Sequence, residues 1–264
     1  MKINFIGGGN MTQAIINGLI NNGSKKNDIH VIETDPSQRS KIHSEMDITS
    51  SDTFDMAEDS IVILAVKPNQ IQSVCGSIKS YLNNHLIISI AAGVRIQKLS
   101  EWLGGYNNII RAMPNIGAKI QEGITALYAD DKVSSKNKDA ATDILMAIGK
   151  IMWINNEEKM DAVTALSGSG PAYVFMFISA LIEAGQKIGL TEEEAQQLTF
   201  STLHGSTLLS ENNLGDLNNL IDSVTSKGGT TEQGLKILND NNFKKIIHQA
   251  TEGAFSRAKE IGSK

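Results

Sequence analysis

The sequence predicts an α/β chain in two parts: a doubly wound, mostly parallel sheet over residues 1–156, then an all-α domain over 157–264. Three observations carry this. Short apolar runs alternate with helical patterns throughout the first part. Runs such as Ile61 to Val66 show no polar alternation, as expected of strands covered on both faces. Strand signals then stop after "NNEEKM" at 155–160, and helical periodicity runs to the end.

In order, the first part reads "KINFIG" followed by a helix over 10–21, "DIHVIE" followed by 36–45, "SIVILAV" by 69–80, "HLIISIA" by 95–103, and then "NIIRAMP". "GITALYA" at 123–129, a helical 134–149 and "KIMWI" at 150–154 look like a last strand–helix–strand unit added to the same sheet. The second part predicts helices over 158–165, 171–188, 192–210, 216–223, 230–239 and 243–261. Thr191 with Glu194 three residues later is a capping-box start, and Gly189 closes the preceding helix. The 171–188 helix carries Val174, Phe175, Met176, Phe177, Ile178 and Leu181 with almost no polar face. A small helical domain hides such a helix only partly, so a second subunit is expected to cover it.

Totals exclude several classes. The chain has 264 residues, 41% apolar and 20% charged, which suffices for real cores. A net charge of −5 with scattered lysines disfavours nucleic acid. The run "PAYVFMFISALI" at 171–182 stops at Glu183 after about a dozen residues, short of the ~20 that span a bilayer, so no membrane partner is expected. The start reads directly as a strand, with no export signal, and a cytoplasmic location is expected. Cys75 is the single cysteine and reads as a small core residue in a reducing compartment. The histidines at 30, 43, 85, 204 and 248 have no metal-ligand spacing, so no metal is expected.

"FIGGGNM" at 5–11 sets Gly7, Gly8 and Gly9 between a strand and a helix, the context of a Rossmann-like dinucleotide turn. Gly7 permits the tight turn, Gly9 lets a pyrophosphate approach the backbone, and Asn10 and Met11 present the first helical N–H groups. Thr12 replaces the usual third small residue. Glu33, about 24 residues after Gly9, stands where an acidic side chain binds the adenosine ribose. An ordinary exposed strand end would look the same. Thr34 and Asp35 follow it and the nearest cation is Arg39, which favours NADH, or dual use with NADPH. "AVKPNQ" (Ala65, Val66, Lys67, Pro68) and "SIAAGV" (Ala91, Ala92, Gly93) are strand ends on the ligand-binding edge. The first of these, at Lys67 and Pro68, would flank the nicotinamide-side phosphate and ribose; the second would admit the ring.

A second glycine-rich helix start, "SKGGTTEQGL" at 226–235, suggests a second anionic ligand. Taken in order, "FIGGGNM", "AVKP", "RAMPN" (111–115), "DAVTALSGSGPAYVF" (161–175) and "VTSKGGTTEQGL" (224–235) resemble the pyrroline-5-carboxylate reductases over essentially the whole chain. The resemblance implies reduction of the C=N bond of Δ1-pyrroline-5-carboxylate to L-proline by NADPH or NADH. It implies a substrate carboxylate on the N–H groups of Gly229, Thr230 and Thr231, with the Thr231 hydroxyl at the ring nitrogen as the catalytic contact. It also implies Ser226 and Glu157 on the substrate side and Asn115 on the cofactor side, while Lys227 joins the substrate side on its position alone; the register of "NNEEKM" leaves Glu157 open to a slip of one residue, and a solvated glutamate would look the same. Helical domains that interlock into a homodimer, and dimers that join into a larger ring such as a decamer, are implied as well. Family members usually carry proline where Lys227 stands, so lysine gives up stiffness and adds a cation near the carboxylate.

Two competitors remain in view. β-Hydroxyacid dehydrogenases use a lysine and an asparagine on the interdomain helix. Here Val174 and Ile178 occupy those places, and alcohol oxidation would lack a base. A related imine reductase, or a dinucleotide-binding sensor without turnover, is the other alternative.

Overall fold

The computed structural model describes residues 1–56, 58–213 and 215–262. The chain falls into two compact units, one made of Met1–Pro171 with Ala254–Lys264 and the other of Ala172–Gly253.

The first unit is a sheet with helices on both faces. Its elements are β1 (Ile3–Ile6), α1 (Asn10–Asn21), β2 (Ile29–Ile32), α2 (Pro36–Met46), β3 (Thr49–Ser51), β4 (Ile61–Leu64), α3 (Ile71–Ile78), β5 (Leu86–Ser89) and α4 (Ile96–Trp102). After these come β6 (Ile109–Met113), β7 (Gly123–Ala129), α5 (Ser135–Met146), β8 (Gly149–Trp153) and α6 (Lys159–Val163). Strand order is β3-β2-β1-β4-β5-β6-β7-β8, so direction of growth reverses between β1 and β4, the switch point where such sheets bind ligands.

Side-chain alternation shows why these runs had to be covered twice. Ile61 and Ile63 join Ile3, Phe5, Ile29 and Val31 in a core with Ile15 and Ile16 of α1. Val62 and Leu64 join Ile6, Ile32 and Ile87 in a second core with Ile71 and Cys75 of α3 and Leu99 of α4. A strand side chain of this size taken fully from water contributes about 1.5–3 kcal/mol, and both faces of each central strand collect it.

Two features depart from simple repetition. β3 is a three-residue polar edge strand that no apolar run announces. β7 pairs with β6 antiparallel while β8 pairs with β7 parallel. The β6–β7 connection is too short for a crossover, which takes a dozen or more residues. It holds only a short 3₁₀ turn, Ile116–Ile120.

The remaining helices are α7 (Gly170–Lys187), α8 (Glu192–Asn212), α9 (Leu217–Ser223), α10 (Thr230–Asp240) and α11 (Phe243–Gly262). Within the second unit, α7 and α8 form a locally encoded hairpin. Leu190 N–H returns to Gly185 O and Gly189 N–H to Gln186 O, a closing motif that uses the positive φ of Gly189. Thr191 and Glu194 then form the full reciprocal cap of α8. Gly185 lets α7 meet Ala195 of α8 side by side.

The apolar helix is longer than the run counted in the sequence. Helical structure is continuous from Lys159 to Lys187, 29 residues, long and apolar enough by length and composition to cross a bilayer. The dozen-residue run counted in the sequence is therefore only its centre. No residue of α7 is buried in the single chain, and Phe175 and Met176 stand 58% and 77% exposed.

Candidate active site

The first glycine turn is shaped by two different requirements. Gly7 sits at φ +100°, and a Cβ there would lie 2.8 Å from Ala65 O and 2.9 Å from the Val66 side chain, so the protein's own β4 end demands glycine. Gly9 has ordinary backbone angles and a Cβ there would meet nothing within 4 Å. Its missing side chain leaves open space directly before the first turn of α1, whose N-cap makes no side-chain bond. A cradle that a Cβ would fill, at the positive end of an uncapped helix, fits a dinucleotide pyrophosphate. Thr12 is fully buried and donates its hydroxyl to Gly7 O at 2.6 Å, which locks the turn from beneath.

At the end of β2 the Glu33 carboxylate accepts Gly8 N–H at 2.8 Å and Asp35 N–H at 3.0 Å. It is thus held at the mouth of the glycine turn. Asp35 caps α2 by accepting Ser37 N–H and hydroxyl, both at 2.9 Å, and these bonds draw its carboxyl below the usual range. Arg39 spends its guanidinium on Glu33 O, Thr34 O and the Asp52 carboxylate. The β2 end therefore presents two carboxylates and a cation already in use.

Ala65 and Val66 line the same switch point, and Lys67 and Pro68 follow as an exposed N-cap and first residue of a 3₁₀ turn. At the end of β5, Ala91 and Gly93 are buried and Ala92 is half-buried. Gly93 was expected to admit a ring; instead a Cβ at this position would lie 2.6 Å from Ile261, so the end of α11 occupies the space.

Beyond Gly93 lies a cluster that local patterns did not reveal. Arg111 of β6 is 2% exposed and donates Nη1 to Glu157 Oε1 at 3.1 Å. The same carboxylate oxygen accepts Ile96 N–H at 2.8 Å. Asp161, 1% exposed, accepts Arg95 Nη2 at 2.9 Å and stands 3.9 Å from Arg111 Nη2. Burial pulls the Arg111 guanidinium below its ordinary range, opposed by the charge of Glu157. Glu157, which the resemblance implied on the substrate, is here a structural partner of Arg111 and α4. Asn115 donates to Ser167 Oγ at 3.3 Å and accepts Ile124 N–H at 3.3 Å, so it ties the β6 end to the small-residue stretch Ser167–Gly170. That stretch overlaps the end of a π-helical segment, Thr164–Gly168, where Ser169 N–H reaches back five residues to Thr164 O at 2.9 Å.

The second glycine turn belongs to the other unit. Gly228 takes φ +74° and Gly229 is the N-cap of α10, without a side-chain cap. Gly229 N–H is already bonded to Ser226 O at 3.0 Å, and Gly228 N–H to Glu232 Oε2 at 2.8 Å. Among the described residues no bond occupies the N–H groups of Thr230 or Thr231. Two of the three expected donors are therefore free. Ser226, Lys227 and Thr230 are exposed and Thr231 is half-buried.

A family model described as pyrroline-5-carboxylate reductase dimerisation matches residues 157–261, and one described as NADP oxidoreductase, coenzyme F420-dependent, matches residues 2–93. The pyrroline-5-carboxylate reductase of Pseudomonas aeruginosa is 37% identical over 263 residues, covering 98% of this chain and 96% of the relative. A solved pyrroline-5-carboxylate reductase from Coxiella burnetii has a TM-score of 0.88 at 37% identity, covering 98% of both chains. The Plasmodium falciparum pyrroline carboxylate reductase, solved with NADP bound, has a TM-score of 0.88 at 34% identity, covering 99% of this chain and 98% of that one. With its two glycine turns, its sheet and its helical half all matched, this chain belongs to the pyrroline-5-carboxylate reductase family.

Proposed function

We infer that the chain reduces the C=N bond of Δ1-pyrroline-5-carboxylate to L-proline with a nicotinamide cofactor, the last step of proline synthesis. The observation that carries this is the pair of uncapped, glycine-led helix starts, one with open space at Gly9 and one with free N–H groups at Thr230 and Thr231. The cofactor supplies the hydride when bound.

On this reading Gly7, Gly8, Gly9, Asn10 and Met11 take the pyrophosphate and Glu33 takes the adenosine ribose. Ala65, Val66, Lys67, Pro68, Ala91, Ala92 and Gly93 frame the nicotinamide side, with Gly93 acting through its packing and Asn115 through Ser167. Two carboxylates at the β2 end repel a 2′-phosphate while Arg39 is committed elsewhere, which supports NADH over NADPH.

The chemistry asks for orientation more than for acid strength. A protonated cyclic imine accepts hydride readily at its carbon, and the nitrogen keeps its proton to become the secondary amine. The Thr230 and Thr231 N–H groups hold the carboxylate at the positive end of α10, and the Thr231 hydroxyl bonds the ring nitrogen. Gly229 allows the close approach, and Lys227 adds attraction for the anion. The proposed division of labour is 1–156 for the cofactor and 157–264 for substrate and self-association, a reading supported by the dimerisation match over 157–261. Self-association proceeds through the apolar helices of the second part, with the homodimer as the unit and a ring of dimers as its extension. The cytoplasm is the proposed location.

The test is NADH and, separately, NADPH oxidation by the purified protein with pyrroline-5-carboxylate. Turnover faster with NADH is expected. Cofactor binding without turnover would move the assignment to another imine or to a sensor.

A further inference from the structure

The buried charges around Arg111 lie between three segments, and the chain spends an unusual amount on them. A fully buried arginine is costly unless its partners are well placed, and an apolar side chain of similar volume often serves stability as well or better. Four charged residues from three separate segments nonetheless meet here: Arg95 in the loop after β5, Arg111 on β6, and Glu157 just before α6 with Asp161 within it. Glu157 also holds the N-terminus of α4 through Ile96 N–H.

The connections close into a ring. β6 continues from Arg111 to Asn115, which bonds Ser167. Ser167 belongs to the π-helical segment Thr164–Gly168, which continues α6. Gly168 in turn lies against the end of the Met113 side chain of β6, 2.7 Å from where a Cβ would stand. A shift of Asp161 is therefore passed on through these contacts. It moves either the Ala91–Arg95 loop, through Arg95, or the Ser167–Gly170 turn, through the π-helical segment.

We propose that the Arg95–Asp161–Arg111–Glu157 cluster sets the spacing between the loop after β5 and the Ser167–Gly170 turn, making Arg95 and Asp161 positioning residues for hydride transfer. The proposal rests on the functional reading above for the reaction, but not for the coupling itself. Asp161 acts through Arg95 on one segment and through α6 on the other. Errors of about 1 Å in such placement cost on the order of 100-fold in rate.

Asp161→Asn keeps shape while removing the charge, and Arg95→Met alters a residue that is one-third exposed. Each is compared with the wild type, with Arg95→Lys as the conservative variant. Single-turnover hydride transfer is expected to slow at least tenfold in Asp161→Asn and Arg95→Met, with the dissociation constant for NADH within threefold of wild type and Arg95→Lys recovering most of the rate. Without any substrate, amide hydrogen exchange in Asp161→Asn is expected to rise in residues 90–96 and 160–170 together. Transfer within twofold of wild type in folded variants overturns the proposal. So does a loss of NADH binding that matches the loss of rate, or exchange that rises in only one of the two segments or throughout the sheet. If the wild type binds NADH but does not turn over the imine, the functional reading fails, and the exchange experiment still decides the coupling.

Discussion

Replacing Gly9 with alanine separates what the fold needs from what the ligand needs. The backbone at this N-cap lies at φ −68° and ψ −176°, angles open to any residue. A methyl group there meets no protein atom within 4 Å. Lower chain entropy in the unfolded state favours alanine by about 0.4–1 kcal/mol, while glycine is the better N-cap by a similar amount. Stability should thus stay within about 1 kcal/mol of wild type, a melting shift of a few degrees at most. The methyl group instead fills the space in front of the Asn10 and Met11 N–H groups. Two charge-assisted hydrogen bonds, at about 1.5–3 kcal/mol each, are lost or lengthened, which corresponds to roughly a hundredfold or greater rise in the dissociation constant for NADH.

Gly7→Ala is the contrasting variant. Its φ of +100° and the 2.8 Å approach to Ala65 O predict a loss of about 3 kcal/mol and a melting temperature lower by roughly 6–12 °C. Calorimetry with a fluorescence titration of NADH measures both quantities. A Gly9→Ala protein that binds NADH as tightly as wild type, or that loses binding only because it has unfolded, would refute the assignment of the open space to the cofactor.

Other outcomes follow from the same geometry. Glu33→Ser should shift the ratio of NADPH to NADH dissociation constants roughly tenfold in favour of NADPH, about 1.4 kcal/mol; an unchanged ratio would remove Glu33 from cofactor choice. Cys75 is fully buried and its thiol is pushed up to about 12 by loss of solvation. It should resist alkylation until the protein unfolds. Because the unfolded thiol ionises near its ordinary value, about 8.5, while the folded one does not, the contribution of Cys75 is intact below that pH. It is lost as pH rises towards 12, by about 1.4 kcal/mol per unit. Cys75→Ala should flatten that part of the stability curve, as followed by urea unfolding across alkaline pH. Met176→Glu with Phe175→Glu should shift the sedimentation mass towards monomer; a full-size assembly would place the interface elsewhere. Lys227→Pro should raise the Michaelis constant for the imine and reduce its salt dependence, and no change in either would leave the cation without a role.

What the sequence made legible was local. The uninterrupted apolar runs located β1, β4 and β5, and the cap residues around 189–194 located the α7–α8 hairpin, because each signal lies within a few residues of the structure it specifies. The strand–turn–helix setting of Gly7 to Gly9 was readable for the same reason. Thr49–Ser51 carries no apolar signal, so the edge strand was not. The antiparallel joint at β7 depends on connection length, which propensities do not register. Arg111 meets Glu157 across 46 positions and Arg95 meets Asp161 across 66, distances over which no periodicity reports. In the second turn, the pattern gave the helix start. It did not show that Gly229 N–H would be taken by Ser226 O, since that depends on how tightly the turn closes.

The exposed face of α7 has a practical consequence. Its closing turn at Gly189 and its contact at Ala195 are made within one chain, yet Val174, Phe175 and Met176 stay more than half exposed there. Mass action therefore contributes to the folded state: dilution acts as a denaturant, and any melting temperature belongs to the concentration at which it was recorded.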